Sequence, residues 1–167
     1  MKIAILDDYQ DAARQLECFG KLAGHDVISV TKHVRDHAGL AQSVDGAEAI
    51  VMIQQRCRLP RAAIERLPAS VRLLSQTGRN VSHIDVAACT ERRIIVAAGG
   101  TSNSHTTAEL TWALILASLR HLPREVAALK AGRWQSTLGR QVHGRTLGIY
   151  AYGRIGSLVA LARRAFG

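Results

Sequence analysis

Short apolar runs alternate with segments of helical spacing along the first hundred residues, and this alternation constrains the fold more than any other feature. The runs are continuously apolar, as in Ile3-Ala4-Ile5-Leu6, which is typical of parallel strands with both faces buried. We predict strands at 3–6, 27–30, 49–53, 71–75 and 94–98. The segments between them predict helices at 12–22, 38–44, 60–67 and 84–92. The expected fold class is therefore α/β, with one parallel sheet covered on both faces.

A different pattern begins after residue 100. Apolar residues at helical spacing predict one long helix from about residue 104 to Gly132, bent at Pro123. Thr106 and Glu109 fit a capping box at its start, with Ser102 and Ser104 as alternative first residues. A strand at 146–152 and a helix at 153–166 are predicted to follow. We therefore expect two domains, 1–100 and 101–167, of which the second is incomplete because a lone strand leaves its edges unpaired.

The composition is that of a folded protein, with 47% apolar and 21% charged residues. The net charge of +9 would suit a nucleic-acid surface, but 4% aromatic residues and the lack of a recognisable module argue against that partner. The three cysteines are widely scattered, so neither a disulfide framework nor a metal site is expected. No export signal or membrane-spanning segment is recognised, and a cytoplasmic location is expected.

A glycine-rich turn lies between the last predicted strand and helix. Gly153 and Gly156 occupy the second and third glycine positions of a GxGxxG dinucleotide fingerprint, and Ala151 occupies the first. In such a turn the second glycine lets the backbone approach a pyrophosphate, and the third permits close helix packing. The N–H groups at the helix start would then hold the phosphates.

A second candidate site follows the fourth predicted strand, in the segment Thr77 to Asp85. Ligands bind at the carboxyl ends of strands in open parallel sheets. Gly78 and Asn80 both tolerate positive φ, which would turn successive N–H groups outward to form a small anion-binding nest. By spacing alone, a plain turn remains an equal alternative.

Taken together, these segments resemble the D-2-hydroxyacid dehydrogenase family. The segment 76–90 (QTGRNVSHIDVAACT) looks like its substrate loop and following helix, 108–116 (AELTWALIL) like its interdomain helix, and 147–156 (LGIYAYGRIG) like its cofactor turn. The resemblance implies a flavodoxin-like substrate domain followed by the start of a Rossmann NAD-binding domain. It also implies NAD-dependent hydride transfer between a 2-hydroxy acid and its 2-oxo acid in a cleft between the domains, with NADP left open as the cofactor.

The resemblance also assigns site residues. The substrate carboxylate would be held by Gly78, Arg79, Asn80 and Val81. The cofactor would be held by Ala151, Tyr152, Gly153, Arg154, Ile155 and Gly156. The family's catalytic Arg, acidic residue and His are expected beyond residue 167, so the isolated chain is expected to be inactive. Relatives form dimers through the nucleotide domain, and a homodimer is expected here.

Some residues depart from this pattern or invite other interpretations. Asn80 replaces a glycine that is usual in the substrate loop, and Gln54 and Gln55 stand where relatives often carry charge. His33 and His37 have the i, i+4 spacing of a metal pair but lack a third ligand. The alternative function is a non-catalytic α/β binding or oligomerisation module.

Overall fold

The computed structural model describes residues 1–100 and 103–167. The chain divides into two compact units between residues 101 and 102. Each unit is described separately below.

Unit 1 is built on a five-stranded sheet in which every pairing is parallel. The strands are β1 Lys2–Leu6, β2 Asp26–Val30, β3 Ala49–Ile53, β4 Leu73–Thr77 and β5 Ile95–Gly99. Their order across the sheet is β2-β1-β3-β4-β5. This is the doubly wound order of flavodoxin-like folds, so the predicted α/β class and parallel sheet are confirmed.

Three short helices cover one face of this sheet. They are α1 His37–Ser43, α2 Arg61–Ile64 and α3 Val86–Glu91. The side chains of Ile50, Met52 and Leu74 point to these helices and are almost fully buried. Asp36 and Asp85 cap α1 and α3 by accepting N–H groups three residues ahead. The helix predicted at 38–44 agrees with α1 to within one residue, whereas α2 and α3 are shorter than the helices predicted at 60–67 and 84–92.

The predicted helix over 12–22 was wrong. The segment forms two 3-10 turns, Ala13–Gln15 and Glu17–Leu22, separated by Leu16 in an extended conformation. Its apolar residues recur every three positions, which places them in line on a 3-10 turn rather than on an α-helix. The buried Asp8 carboxylate accepts the N–H groups of Ala12 and Ala13 at 3.0 and 3.1 Å and so fixes the start of the segment.

The second face of the sheet is covered only in part, contrary to the prediction that helices cover both faces. Ile3 and Ile5 of the central strand are buried, whereas Ile95 on the edge strand is 67% exposed. The 3-10 turns leave an open apolar cavity of about 600 Å³ on this face, beside Ile5, Val51 and Phe19. Two short 3-10 segments shield less surface than a full crossover helix would.

Unit 2 contains three helices: α4 Ser104–Leu119, α5 Leu122–Lys130 and α6 Arg154–Arg163, followed by a 3-10 turn Arg164–Phe166. The single long helix that was predicted is interrupted at His121, which has a left-handed φ of 53°. Pro123 explains the break, because its ring would clash with the carbonyl four residues earlier in a continuous helix. Asn103 caps α4, so the predicted capping box was wrong, and Ser102 lies outside the described residues.

The strand predicted at 146–152 is not formed. The described part of unit 2 contains no β-strand at all. A parallel strand needs a neighbour for its backbone hydrogen bonds, and unit 2 offers none. Leu147 and Ile149 instead pack with Trp112, Val159 and Phe166 in a small apolar cluster.

Glu125, in the first turn of α5, ties this helix to the loop that follows it. Its carboxylate accepts hydrogen bonds from Ser136 N at 3.1 Å, Ser136 Oγ at 2.8 Å and Thr137 Oγ1 at 2.5 Å. These hydrogen bonds lower the pKa of Glu125 from 4.5 to about 2. A carboxyl group whose pKa is lower in the folded state than in the unfolded state stabilises the fold at pH values above its unfolded-state pKa. That contribution is lost as the pH falls through the folded-state pKa.

We therefore expect the urea concentration at the unfolding midpoint of unit 2 to decrease as the pH is lowered from 5 to 2. Glu125→Gln is expected to make that decrease smaller. Urea unfolding followed by tryptophan fluorescence measures this, because both tryptophans, Trp112 and Trp134, lie in unit 2. Glu109→Gln is the matched control, since Glu109 is exposed and makes no polar contact within the described residues. An equal flattening in both variants would contradict the assignment.

Candidate functional site

The loop after β4 turns at Gly78. This residue has a φ of 140°, which side chains other than glycine rarely adopt. Its N–H donates to the carbonyl of Gln76 at 3.0 Å, and its carbonyl accepts the N–H of Gly99 at 3.2 Å. The turn is therefore anchored to its own strand and to β5, and it sends the following residues out from the carboxyl edge of the sheet.

The next three residues have unpaired backbone donors. Within the described part of the chain, no oxygen accepts a hydrogen bond from the N–H of Arg79, Asn80 or Val81. Asn80 does not have the positive φ that was predicted for it. Its side-chain Oδ1 accepts the N–H of Ser82 at 2.9 Å, and this Asx turn holds the loop without left-handed backbone at that position. Three consecutive free N–H groups are suited to an anion.

A clamp that the sequence did not reveal fixes the neighbouring strand end. Gln54 has a φ of 53°; its N–H donates to Thr77 Oγ1 at 2.9 Å, and its carbonyl accepts from Gln76 Nε2 at 2.7 Å. Gln76 is only 3% exposed and its Oε1 has no partner. The clamp joins the ends of β3 and β4 and leaves the Gln54 side chain exposed at the rim beside the Gly78 turn.

His83 follows the same loop, but its side chain is buried. It is 8% exposed, and neither ring nitrogen has a hydrogen-bond partner or measurable solvent exposure. Burial, with a smaller contribution from the Arg58 charge, lowers the pKa of His83 below 6.5. A buried neutral imidazole in this position cannot exchange protons with a bound ligand without first rearranging.

The second candidate site is the glycine-rich turn before α6. Ala151 has a left-handed φ of 66°, so the alanine at the first fingerprint position is held in a conformation that suits glycine. Gly153 forms the N-cap of α6, and a Cβ there would meet no atom within 4 Å. A Cβ on Gly156 would lie 2.8 Å from the Ala151 carbonyl oxygen, which is too close for any side chain. Gly156 is therefore closely packed, and the space beside Gly153 is open.

The start of α6 also offers unpaired donors. The first intrahelical bond runs from Ser157 N to Gly153 O at 2.9 Å, and the N–H groups of Ile155 and Gly156 find no acceptor among the described residues. The side chains of Tyr150 and Tyr152 are exposed beside the turn. An open turn, free N–H groups and the positive end of a ten-residue helix fit a dinucleotide pyrophosphate.

Ala151 permits a direct test of the strain in this turn. Ala151→Gly is expected to raise the free energy of unfolding of unit 2 by about 0.5 to 1 kcal/mol, because glycine relieves the left-handed strain at some entropic expense. Ala127→Gly in α5 is the matched control, and there the same exchange is expected to destabilise by about 1 kcal/mol. Urea unfolding followed by tryptophan fluorescence measures both changes. Two losses of similar size would mean that Ala151 carries no strain.

The described residues contain neither a cluster of metal ligands nor a membrane-spanning helix. Residues 1–100 and 103–167 contain no group of three or more His, Cys, Asp or Glu side chains that could hold a metal ion. No helix in these ranges combines the length and the apolar character needed to cross a membrane.

The fold of unit 1, with unpaired donors at the carboxyl edge of a flavodoxin-order sheet, defines an α/β domain of the kind that binds small ligands at strand ends. Residues 3–163 match the family model of the D-isomer specific 2-hydroxyacid dehydrogenase catalytic domain. The chain belongs to this family, as the resemblance in its sequence predicted.

Individual relatives agree with this assignment. The chain is 32% identical over 170 residues to D-3-phosphoglycerate dehydrogenase of Methanocaldococcus jannaschii, covering 100% of this chain and 31% of that protein. It is 37% identical over 103 residues to 4-methyl-2-oxopentanoate reductase A of Aspergillus oryzae, covering 60% of this chain and 31% of that protein. The crystal structure of a phosphoglycerate oxidoreductase from Vibrio cholerae O395 superposes with a TM-score of 0.95 at 42% identity, covering 100% of this chain and 54% of that one. The chain thus spans between 31% and 54% of the length of these relatives.

Proposed function

We propose that the chain forms the substrate-binding part and the beginning of the nucleotide-binding part of an NAD-dependent D-2-hydroxyacid dehydrogenase. The observation that carries the proposal is the row of three unpaired N–H groups at Arg79, Asn80 and Val81, at the carboxyl edge of the sheet. A carboxylate is common to every 2-hydroxy acid and 2-oxo acid. Held by Gly78, Arg79, Asn80 and Val81, it would orient the neighbouring C2 atom for hydride transfer.

The proposed cofactor is NAD, which when bound supplies the hydride acceptor for oxidation of the 2-hydroxy acid. The residues proposed to hold it are Ala151, Tyr152, Gly153, Arg154, Ile155 and Gly156. Their contribution is electrostatic, since backbone N–H groups and the helix dipole stabilise the pyrophosphate charge. NADP is the alternative cofactor. The residue that contacts the ribose and distinguishes NAD from NADP is expected about 20 positions after the turn.

We propose that the 167-residue chain alone does not turn over substrate. The nearest imidazole in sequence to the Arg79 loop is His83, and both of its ring nitrogens are closed off. By resemblance to the family, we propose that the catalytic Arg, acidic residue and His are not among residues 1–167. The relatives' names include both a phosphorylated acid and a branched 2-oxo acid, so the proposed substrate class is a small 2-hydroxy or 2-oxo acid.

We propose that the protein forms a homodimer through unit 2. Leu110 and Leu114 on α4 are 59% and 62% exposed, and Leu122, Val126 and Leu129 on α5 are also exposed. Apolar side chains at this helical spacing are typical of a surface that a partner covers. Light scattering should show a dimer that Leu114→Gln weakens, whereas Leu138→Gln, at a position 95% exposed, should leave it unchanged.

We also propose a cytoplasmic location. Three free cysteines, two of them buried, support it, because a reducing compartment keeps thiols unpaired.

The experiment that tests the carboxylate site is a backbone amide NMR titration of the 167-residue chain. Pyruvate is expected to shift the amides of Arg79, Asn80 and Val81, because its carboxylate would accept their N–H groups. Pyruvamide, the neutral analogue, is expected to leave them in place. Shifts of equal size with both compounds, or none with pyruvate, would refute the site.

A parallel titration tests the cofactor site. NADH is expected to shift the amides of Gly153, Ile155 and Gly156. A protein that responds to neither pyruvate nor NADH and yet forms the dimer would favour the alternative function, a non-catalytic oligomerisation module.

A further inference from the structure

His83 lies just after the Arg79 loop (residues 79–81), in a segment whose backbone is fastened to the core. Its carbonyl accepts the N–H of Leu59 at 2.8 Å, and the Leu59 carbonyl accepts the N–H of Asp85 at 2.9 Å. Leu59 itself is fully buried. We call this pair of hydrogen bonds the Leu59 clip. The clip anchors the downstream end of the Arg79 loop, as the Gly78 turn anchors its upstream end.

The His83 imidazole is enclosed without a polar partner. Neither Nδ1 nor Nε2 finds a hydrogen-bond partner among the described residues, and neither atom is exposed to solvent. A protonated ring would bring two N–H donors and a charge into surroundings that satisfy none of them. The pKa of His83 is lowered chiefly for this reason, and the buried ring is neutral at pH 7.

The charged groups around His83 do not offset this cost. Arg58, between β3 and α2, and Asp85, at the N-cap of α3, line the same cavity as His83. The Arg58 guanidinium repels an imidazolium and lowers the pKa of His83 further. The Asp85 carboxylate is already engaged, because Oδ1 accepts the N–H of Ala88 at 2.8 Å and Oδ2 lies 3.8 Å from Arg61 Nε.

The cavity gives a protonated ring a place to go. Its volume is 460 Å³, and Pro60 and Ser82 line it together with His83. Because a water molecule takes up about 30 Å³, this space holds an imidazole and several waters. Rotation about the Cα–Cβ bond would carry a charged ring from its enclosed position into water. The space left behind would no longer support the segment that the Leu59 clip holds.

We propose that His83 is a pH-sensitive latch for the Arg79 loop. With a neutral ring the latch is closed and the three free N–H groups keep their geometry; protonation turns the ring into the cavity and opens the Leu59 clip. The closed form is favoured above the ordinary histidine pKa of about 6.5, and this advantage is lost as the pH falls toward the lower pKa of the buried ring. The consequence for carboxylate binding rests on the proposed function, whereas the latch itself does not.

Amide hydrogen exchange of the 167-residue chain tests the latch without any ligand. Protection of the Leu59 and Asp85 N–H groups, corrected for the intrinsic exchange rate at each pH, should fall about five- to tenfold between pH 7.5 and pH 5.5. This is the change expected when the open form protonates with an ordinary histidine pKa. Protection of Val51 in β3 should stay within twofold. Constant protection at Leu59 and Asp85, or an equal fall at Val51, would overturn the proposal.

Substitutions assign the effect to the imidazole. His83→Phe keeps an aromatic ring but cannot be protonated, and it should abolish the pH dependence of protection at Leu59. His83→Leu, a smaller residue, is the second variant and should do the same. His25→Gln is the matched control, because His25 is exposed in the same unit and does not line the cavity. It should keep the full pH dependence, and its loss there, or its survival in both His83 variants, would refute the latch.

A pyruvate titration at the same two pH values separates the latch from the carboxylate site. The affinity of the parent chain should decrease at pH 5.5 in proportion to the fraction of chains with an open clip, and that of His83→Phe should not change. An affinity that stays constant while more than half of the chains are open would refute control of the loop by His83. If pyruvate fails to bind at either pH while the exchange results are as expected, the carboxylate site is refuted and the latch is supported.

Discussion

Trp112→Ala is expected to lower the free energy of unfolding of unit 2 by about 3 to 5 kcal/mol, the usual range for removing a large buried aromatic side chain. Trp112 is 7% exposed, donates from Nε1 to the Val159 carbonyl at 3.0 Å, and stacks on Phe166 with ring centres 4.7 Å apart. These contacts join α4 to α6, the helix that begins at the glycine-rich turn. A unit of this size is stabilised by about 3 to 10 kcal/mol in total, so much of unit 2 should unfold.

Amide hydrogen exchange measures this result locally, because protection of α4 and α6 should fall while protection of β1 and β3 is retained. Trp134→Ala is the matched control, since Trp134 is 74% exposed and the same atoms are removed. A loss below about 1 kcal/mol in Trp112→Ala, or equal losses in the two variants, would contradict the role given to the buried ring.

Gly156→Ala is expected to destabilise unit 2 by about 1 to 3 kcal/mol, as overpacking of a close contact does. The added Cβ would lie 2.8 Å from the Ala151 carbonyl oxygen and 3.2 Å from Ile149 Cγ2, so backbone must move. The greater helix propensity of alanine offsets the loss by about 1 kcal/mol at most. Urea unfolding followed by tryptophan fluorescence reports the change, because both tryptophans lie in unit 2.

Gly148→Ala controls for the effect of the exchange on the unfolded chain. An added Cβ at Gly148 meets no atom within 4 Å, and its φ is not in the left-handed region. This variant should therefore unfold at or slightly above the urea concentration of the parent chain. If Gly156→Ala were as stable as Gly148→Ala, the turn would not be closely packed. Gly156 would then not have the role of the third glycine of the fingerprint.

Local sequence pattern predicted the sheet well and the ends of its helices poorly. The strands β1, β3 and β5 consist almost entirely of apolar residues, and burial on both sides of a central strand leaves little alternative to that interpretation. The segment 12–22 was misjudged because a three-residue repeat also satisfies part of an α-helical pattern. The predicted strand at 146–152 failed for another reason, since a strand exists only where a neighbour accepts its hydrogen bonds.

The candidate sites divide in the same way. Gly78 and Gly156 were recognisable because each meets a backbone or packing requirement that few other residues meet. The clamp of Gln54 by Gln76 and Thr77 was not, since its partners are more than twenty residues apart and meet only across adjacent strands. The burial of His83 was hidden for the same reason.

The order of apolar runs and glycines along the chain determined by itself the α/β class, the parallel sheet and the positions of both turns, because these depend on contacts between near neighbours and on burial. Tertiary structure alone decided which polar groups remain without partners. Whether an N–H or an imidazole is paired depends on atoms from distant segments, and it is the unpaired N–H groups at Arg79, Asn80 and Val81 that carry the proposed binding of a carboxylate.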